Sequence, residues 1–229
     1  MTTNDHQREL AERFKRDTAN HTMTVLHDDG LYRHLRFTKP DSSMYWFEIV
    51  TWPGSLAIRG DVDGNLVFSR LPDMFQFFRS DHGINPGYWA EKTADHGKSL
   101  KEYSEAVFLQ HVTDLLAEFA EEDPALAQTV KAEITDAVAR GEAGFEEEAR
   151  ELARFWEDKG VFSDTWEWDL TDWKWSYLWC CHAIVAGIAQ YDTARNRPSW
   201  IRRVLNRLTQ VRVSRPAKVV TVELDGVSA

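Results

Sequence analysis

Between Thr22 and Arg70 the sequence alternates with a period of two, in five short runs with little room between them. Residues 22–27, 31–38, 44–52, 55–59 and 65–70 are rich in β-branched and aromatic side chains. The breaks fall at Asp28-Asp29-Gly30, at Lys39-Pro40-Asp41-Ser42-Ser43, at Pro53-Gly54 and across Gly60 to Gly64. Joining parallel strands takes a crossover of about a dozen residues or more. These gaps hold two to five. The pattern therefore predicts an antiparallel meander of about five strands, each paired with its neighbour in sequence.

The meander hands over to helices through Leu71-Pro72-Asp73 and the run Met74, Phe75, Phe77, Phe78. A short polar helix over residues 5–18 precedes the sheet, with Leu10 and Phe14 as its apolar stripe. Asn85-Pro86-Gly87 opens a brief segment that carries Tyr88 and Trp89. Ser99 with Glu102 predicts a capping box for a helix reaching Glu121. Asp123-Pro124 supplies an N-cap and N1 for the next helix, which Gly141 ends. A third, acidic helix covers 142–158, with Phe145, Leu152, Phe155 and Trp156 as its expected buried side. Residues 161–172 read as a loop packed on the core. Residues 173–192 form the most apolar helix, with Trp175, Leu178, Trp179, His182, Val185, Ala186 and Ala189 on one face; Ile184 and Ile188 imply that a second face is covered as well. The run 195–218 holds seven arginines, Lys218 and no acid, and residues 218–224 suit a final strand.

The fold class is thus α+β: a helix and antiparallel sheet over residues 1–80, packed against a helical layer over residues 81–229. Tyr88 and Trp89 lie in the connection between them and need packing, so the two parts can close into one compact domain. With 43% hydrophobic residues, ten tryptophans and twelve phenylalanines, the chain can fill a large core. A net charge of −10 opposes binding to nucleic acid or anionic lipid over the whole surface, though not at a local basic site. No apolar leader opens the sequence and no run of 18 apolar residues occurs, which predicts a soluble intracellular protein. Adjacent Cys180 and Cys181 are expected to be reduced thiols with a packing role.

Strand parity sorts the chemistry. Leu35, Phe37, Ile49, Leu56, Ile58 and Phe68 belong to the core side, whereas His34, Arg36, Trp46, Glu48 and Arg59 fall on the opposite face. Arginine beside an aromatic platform suits a ligand with a phosphate and a base, and cross-strand salt bridges alone require the same residue types. A second candidate is acidic. From Glu102 to Asp192 there are 21 Asp and Glu against six Lys and Arg. Glu142, Glu146, Glu147 and Glu151 on the third helix could imitate a nucleic-acid backbone toward a protein partner, as well as form a solvated face. Asp61-x-Asp63-Gly64 lacks the acidic twelfth ligand of a calcium loop, where Pro72 stands, and reads as a hairpin turn. His182 reads as a core histidine. No histidine or cysteine spacing fits a metal, no nucleophile or phosphate-loop motif occurs, and no cofactor is expected.

The segments TWPGSLAIRGD (51–61), VFSRLPDMFQFFR (67–79) and WCCHAIVAGIAQYD (179–192), with LYRHLRFTKPDSSMYWFEIVTWPG upstream, resemble an uncharacterised family of bacteriophage and prophage proteins. The resemblance reaches to about Asp192. It implies a phage accessory protein in the cytoplasm of a bacterial host, and it brings no catalytic residues with it. The expectation is a non-enzymatic binding protein that blocks a host defence nuclease or regulator. A binder or processor of a small nucleotide at the Arg36/Arg59 face is the alternative, and a scaffold or assembly protein the third. Glu48 with His34 is the one acid–base pairing on offer to an enzyme.

Overall fold

The computed structural model describes residues 3–62, 65–79 and 83–196. Met1–Tyr191 form one compact unit; Asp192–Ala229 form a second, described only to Asn196. Most of the basic run and the strand expected over 218–224 lie outside the described residues.

The first unit is α+β. Helix α1 (Thr3–Thr18) leads into a five-stranded antiparallel sheet in sequence order: β1 (Thr22–Asp29), β2 (Tyr32–Lys39), β3 (Ser42–Trp52), β4 (Ser55–Gly60) and β5 (Leu66–Ser69). The β3–β4 turn is Pro53-Gly54, where proline presets φ and Gly54 takes φ 84, a left-handed value costly to a residue with a Cβ. The free side of β5 is not left open: Ser69 N donates to Lys92 O and Phe68 bridges Thr93, which covers an edge that could otherwise pair with another chain. Asp73 caps the short α2 (Met74–Phe78), accepting from Phe75 N, and Asn85 caps α3 (Pro86–Ala90).

One face of the sheet is the core. Leu35, Phe37, Ile49, Leu56, Ile58 and Phe68 are all buried there, as parity predicts, together with Phe47. Helix α7 (Trp175–Arg195) lies over them, with Trp179 edge-on to Phe47 at 5.6 Å. Gly187 permits that approach, since a Cβ at this position would stand 2.7 Å from Ile49 Cδ1 and 2.9 Å from Phe37 Cζ. Phe14 packs on Trp179, and Phe78 links Phe68 to Trp89. On α7 the buried set includes Tyr177, Cys180, Cys181, Ala183, Ile184 and Ile188, whereas Ala186 and Ala189 are exposed and Trp175 stands at the surface. Leu178 and Trp179 of the expected face are buried, as are Ile184 and Ile188 on the second face that was expected to be covered. Trp175, Ala186 and Ala189 are the expected positions that reach solvent, because covering on more than one side erases the apolar period. The helix also starts two residues later than expected.

A second cluster joins α4 (Glu105–Phe119), α5 (Pro124–Ala139) and α6 (Glu146–Glu157) through Phe108, Val112, Leu116, Val130, Ile134 and Trp156, closed by Phe162, Trp168 and Leu170. Asp123 and Pro124 take their expected roles. Three other expectations are corrected. Residues 98–100 are a 3-10 turn and Lys101–Tyr103 form a strand, β6, paired with β7 (Thr171–Trp173), so Ser104 rather than Ser99 caps α4. Helix α6 begins at Glu146, not 142. It buries Ala149, Ala153 and Trp156, while Phe145 (70% exposed) and Phe155 face solvent, so the buried side of α6 is made by two alanines and one tryptophan.

Candidate functional site

The face of the sheet opposite α7 carries the five residues that parity groups there. Register places Arg36 on β2 across from Glu48 on β3, and Glu48 across from Arg59 on β4. This is one cross-strand row with the acid in the middle. Arg36 donates from Nε to Glu48 Oε1 at 2.6 Å, with Nη2 also at 2.6 Å. Arg59 donates from Nε to Oε2 at 2.9 Å, with Nη2 at 2.7 Å. Each guanidinium thus grips one carboxylate oxygen with one edge, the charge-assisted geometry for which arginine is suited. His34 Nε2 lies 3.1 Å from Oε2 but is poorly aligned for a hydrogen bond. The Arg36 guanidinium carbon stands 5.7 Å from the centre of the Trp46 ring.

These contacts bury Glu48 to 1% exposure on a face that no helix among the described residues covers, under two half-exposed arginines. Burial alone would push its carboxyl up. The hydrogen bonds from Arg59 and Arg36 and the close approach of His34 outweigh that and hold it below the usual value, so the acid is ionised at neutral pH. Two guanidiniums against one carboxylate leave the row with an excess positive charge, and both arginine side chains stay about half exposed to solvent. The row can therefore attract an anion without losing its internal pairing.

The same parity carries a feature that the residue-by-residue reading passed over. Trp52 shares the face of Trp46 and Glu48, and Tyr32 lies beside it on β2, both exposed. The site thus has aromatic surface at both ends of its basic centre. The signal was available, since residues 46, 48, 50 and 52 alternate identically along β3.

The acidic candidates divide. Arg140 holds Glu142 through Nε and Nη2 at 2.7 and 2.9 Å, and Arg150 holds Glu146 at 2.7 Å. Glu147 and Glu151 lie a turn apart on the solvent side of α6, exposed and without an ion-pair partner among the described residues. Asp61 accepts a hydrogen bond from Tyr45 N on β3 at 2.8 Å; the centre of the expected turn, residues 63 and 64, lies outside the described residues. Cys180 and Cys181 are buried thiols, and burial is the main cause that raises the Cys181 thiol. His182 is half-buried against Phe14 at 5.8 Å, and burial lowers its pKa. Among the described residues, no group of three His, Cys, Asp or Glu could hold a metal ion, and no helix is long and apolar enough to cross a membrane.

No protein-family model, curated protein or solved structure matches the chain.

Proposed function

We propose that the protein is a binding protein whose open sheet face takes a small ligand bearing a phosphate and a base. The observation that carries this reading is the Arg36–Glu48–Arg59 row, a buried acid that fixes two outward arginines in place beside Trp46. Preorganised guanidiniums lose less entropy on meeting a phosphate than free arginines do. A base stacking on an aromatic ring adds about 1–3 kcal/mol. Binding needs no chemistry at this site, and Glu48 is committed to its arginines rather than poised as a base. Calorimetry with mono-, di- and cyclic nucleotides tests the reading. The expected result is saturable binding that Arg59→Ala weakens about tenfold or more, equal to about 1.4 kcal/mol. Absence of binding to any of them, or an affinity indifferent to Arg59, would end it.

A second reading rests on α6. The resemblance to phage proteins suggests an accessory factor that acts in the cytoplasm of a bacterial host against a defence component. The solvent-facing Glu147 and Glu151, with exposed Phe145 at the start of the same helix, support a protein-binding surface of that kind. Glu142 and Glu146 are spoken for by arginines, so the mimic is smaller than four carboxylates. Reversing Glu147 and Glu151 to lysine is expected to abolish capture of a host protein from lysate and leave the melting temperature within about 1 °C, as surface changes do. Capture that survives the reversal removes this reading.

A further inference from the structure

Away from the sheet face, a cleft of about 390 Å³ opens where the chain leaves β5 and turns through α2 into α3. Its size falls within the range of small-molecule sites. Arg70 and Arg79 line it, as do the carboxamides of Gln76 and Asn85 and the rings of Phe77 and Tyr88. No Asp or Glu is among its described lining residues. The Arg70 guanidinium has no ion-pair partner among the described residues, whereas the charge of Arg79 also reaches Asp73. The Asn85 Oδ1 is used in capping α3, where it accepts from Tyr88 N at 3.2 Å, and this leaves the amide N–H groups to donate. The Phe77 and Tyr88 rings sit 5.6 Å apart, tilted by 41°, and form an apolar wall. Lys92 Nζ lies 4.3 Å over the Tyr88 ring and is paired with Glu91 at 3.0 Å.

Exposed arginines are usually found near acids or in open solvent. Here Arg70 lines a concavity together with amide donors and an aromatic wall, and no Asp or Glu is among the described lining residues. We infer that this cleft binds a planar organic anion, a phosphate or carboxylate carried on an aromatic ring. The arginine fork grips two oxygens of the anion, and the ring lies against Phe77 and Tyr88. The local backbone supports the fit. Arg70 N donates to Gly54 O and Gly54 N donates to Pro72 O, so the corner carrying Arg70 is tied to the β3–β4 turn. Phe77 is held edge-on by Phe78, whose other ring neighbours are the buried Phe68 and Trp89. These contacts hold the backbone at Arg70 and the Phe77 ring.

Titration calorimetry on the full chain decides it, with phenyl phosphate and benzoate as ring-bearing probes and inorganic phosphate as the ring-free control. The expected result is saturable binding of one ring-bearing probe, at least about tenfold tighter than inorganic phosphate. Whichever probe binds tighter identifies the anion as phosphate or carboxylate. Arg70→Ala weakens that binding about tenfold or more, and Tyr88→Ala weakens it several-fold, each with an unchanged circular-dichroism melt. Arg59→Ala leaves it unaltered, which separates this cleft from the sheet face. The inference is overturned if neither ring-bearing probe saturates up to about 10 mM, if inorganic phosphate binds equally well, or if folded Arg70→Ala binds like the parent. Loss of binding in Arg59→Ala overturns it too, since the probe would then sit on the sheet.

Discussion

The two faces of the five-stranded sheet are made from the same strands in the same register, and they solve opposite problems. The inner face is mostly hydrocarbon beneath α7, where Phe37 and Phe47 stack at 4.3 Å and Gly187 lets the helix backbone approach; the buried charge on this side, Arg33, is paired with Asp73 at 2.9 Å. The outer face buries a single charged group, Glu48, and does so with arginines instead of a helix. Stability on the inner side comes from area removed from water and is indifferent to direction. On the outer side it comes from a few directed, charge-assisted bonds, which also leave arginine and tryptophan presented to solvent. A face stabilised in that second way can bind; a face stabilised in the first way cannot without unfolding.

The contrast is broken most severely from the inside. Ile58→Asp places an unpaired carboxylate at 1% exposure, and an isolated buried charge costs several kcal/mol, comparable with the whole stability of a domain. The variant is expected to lose its cooperative thermal transition. Gly187→Val attacks the same interface sterically: its Cβ would press on Ile49 and Phe37, and Phe37 is pinned by its stack on Phe47. Overpacking of this kind costs about 1–3 kcal/mol, which a urea melt resolves.

On the outer side the effect is smaller and depends on pH. Glu48→Gln keeps the shape but removes the ionic partner of both arginines, with an expected loss of about 1–2 kcal/mol at neutral pH. Because its pKa in the fold lies below the ordinary 4.5, Glu48 adds stability that is fully present above that value and is lost as pH falls through the folded pKa. Asp73 is shifted the same way: burial raises its carboxyl, and Arg33, Phe75 N and Arg79 more than reverse this. The acid limb of the melting curve is therefore expected to flatten in Glu48→Gln without disappearing. Arg59→Ala is the mildest. Its side chain is more than half exposed and Arg36 still pairs the acid, so the change in stability should stay below about 1 kcal/mol while ligand binding falls.

Much of the sheet was legible because a meander makes neighbours in sequence neighbours in space. Once the turns at Asp28-Asp29-Gly30 and Pro53-Gly54 are read, parity and strand order bring Arg36, Glu48 and Arg59 into one row with no further information. The helical half was less legible for reasons that are also physical. Ser99 and Ser104 are both plausible caps, and the choice is made by Thr171–Trp173, a partner strand far away that pairs with Lys101–Tyr103. No local pattern announces it. On α6 the phenylalanines suggested a buried side, yet Ala149 and Ala153 occupy it, small residues that a hydrophobicity count passes over. The cleft beside Arg70 was hidden for a similar reason. Its walls come from the end of β5, from α2 and from α3, and only the bend of the chain brings them together.

The most direct test compares both faces in one sample. Nuclear magnetic resonance of the folded chain can follow the Nε–H signals of Arg36 and Arg59 together with the methyl signals of Ile49 and Ile58 during a nucleotide titration. The account predicts saturable shifts of both arginine signals, with the isoleucine methyls unmoved. Arginine signals that stay in place while the ligand binds, or isoleucine methyls that move with it, would contradict the claim that the outer face is the binding surface.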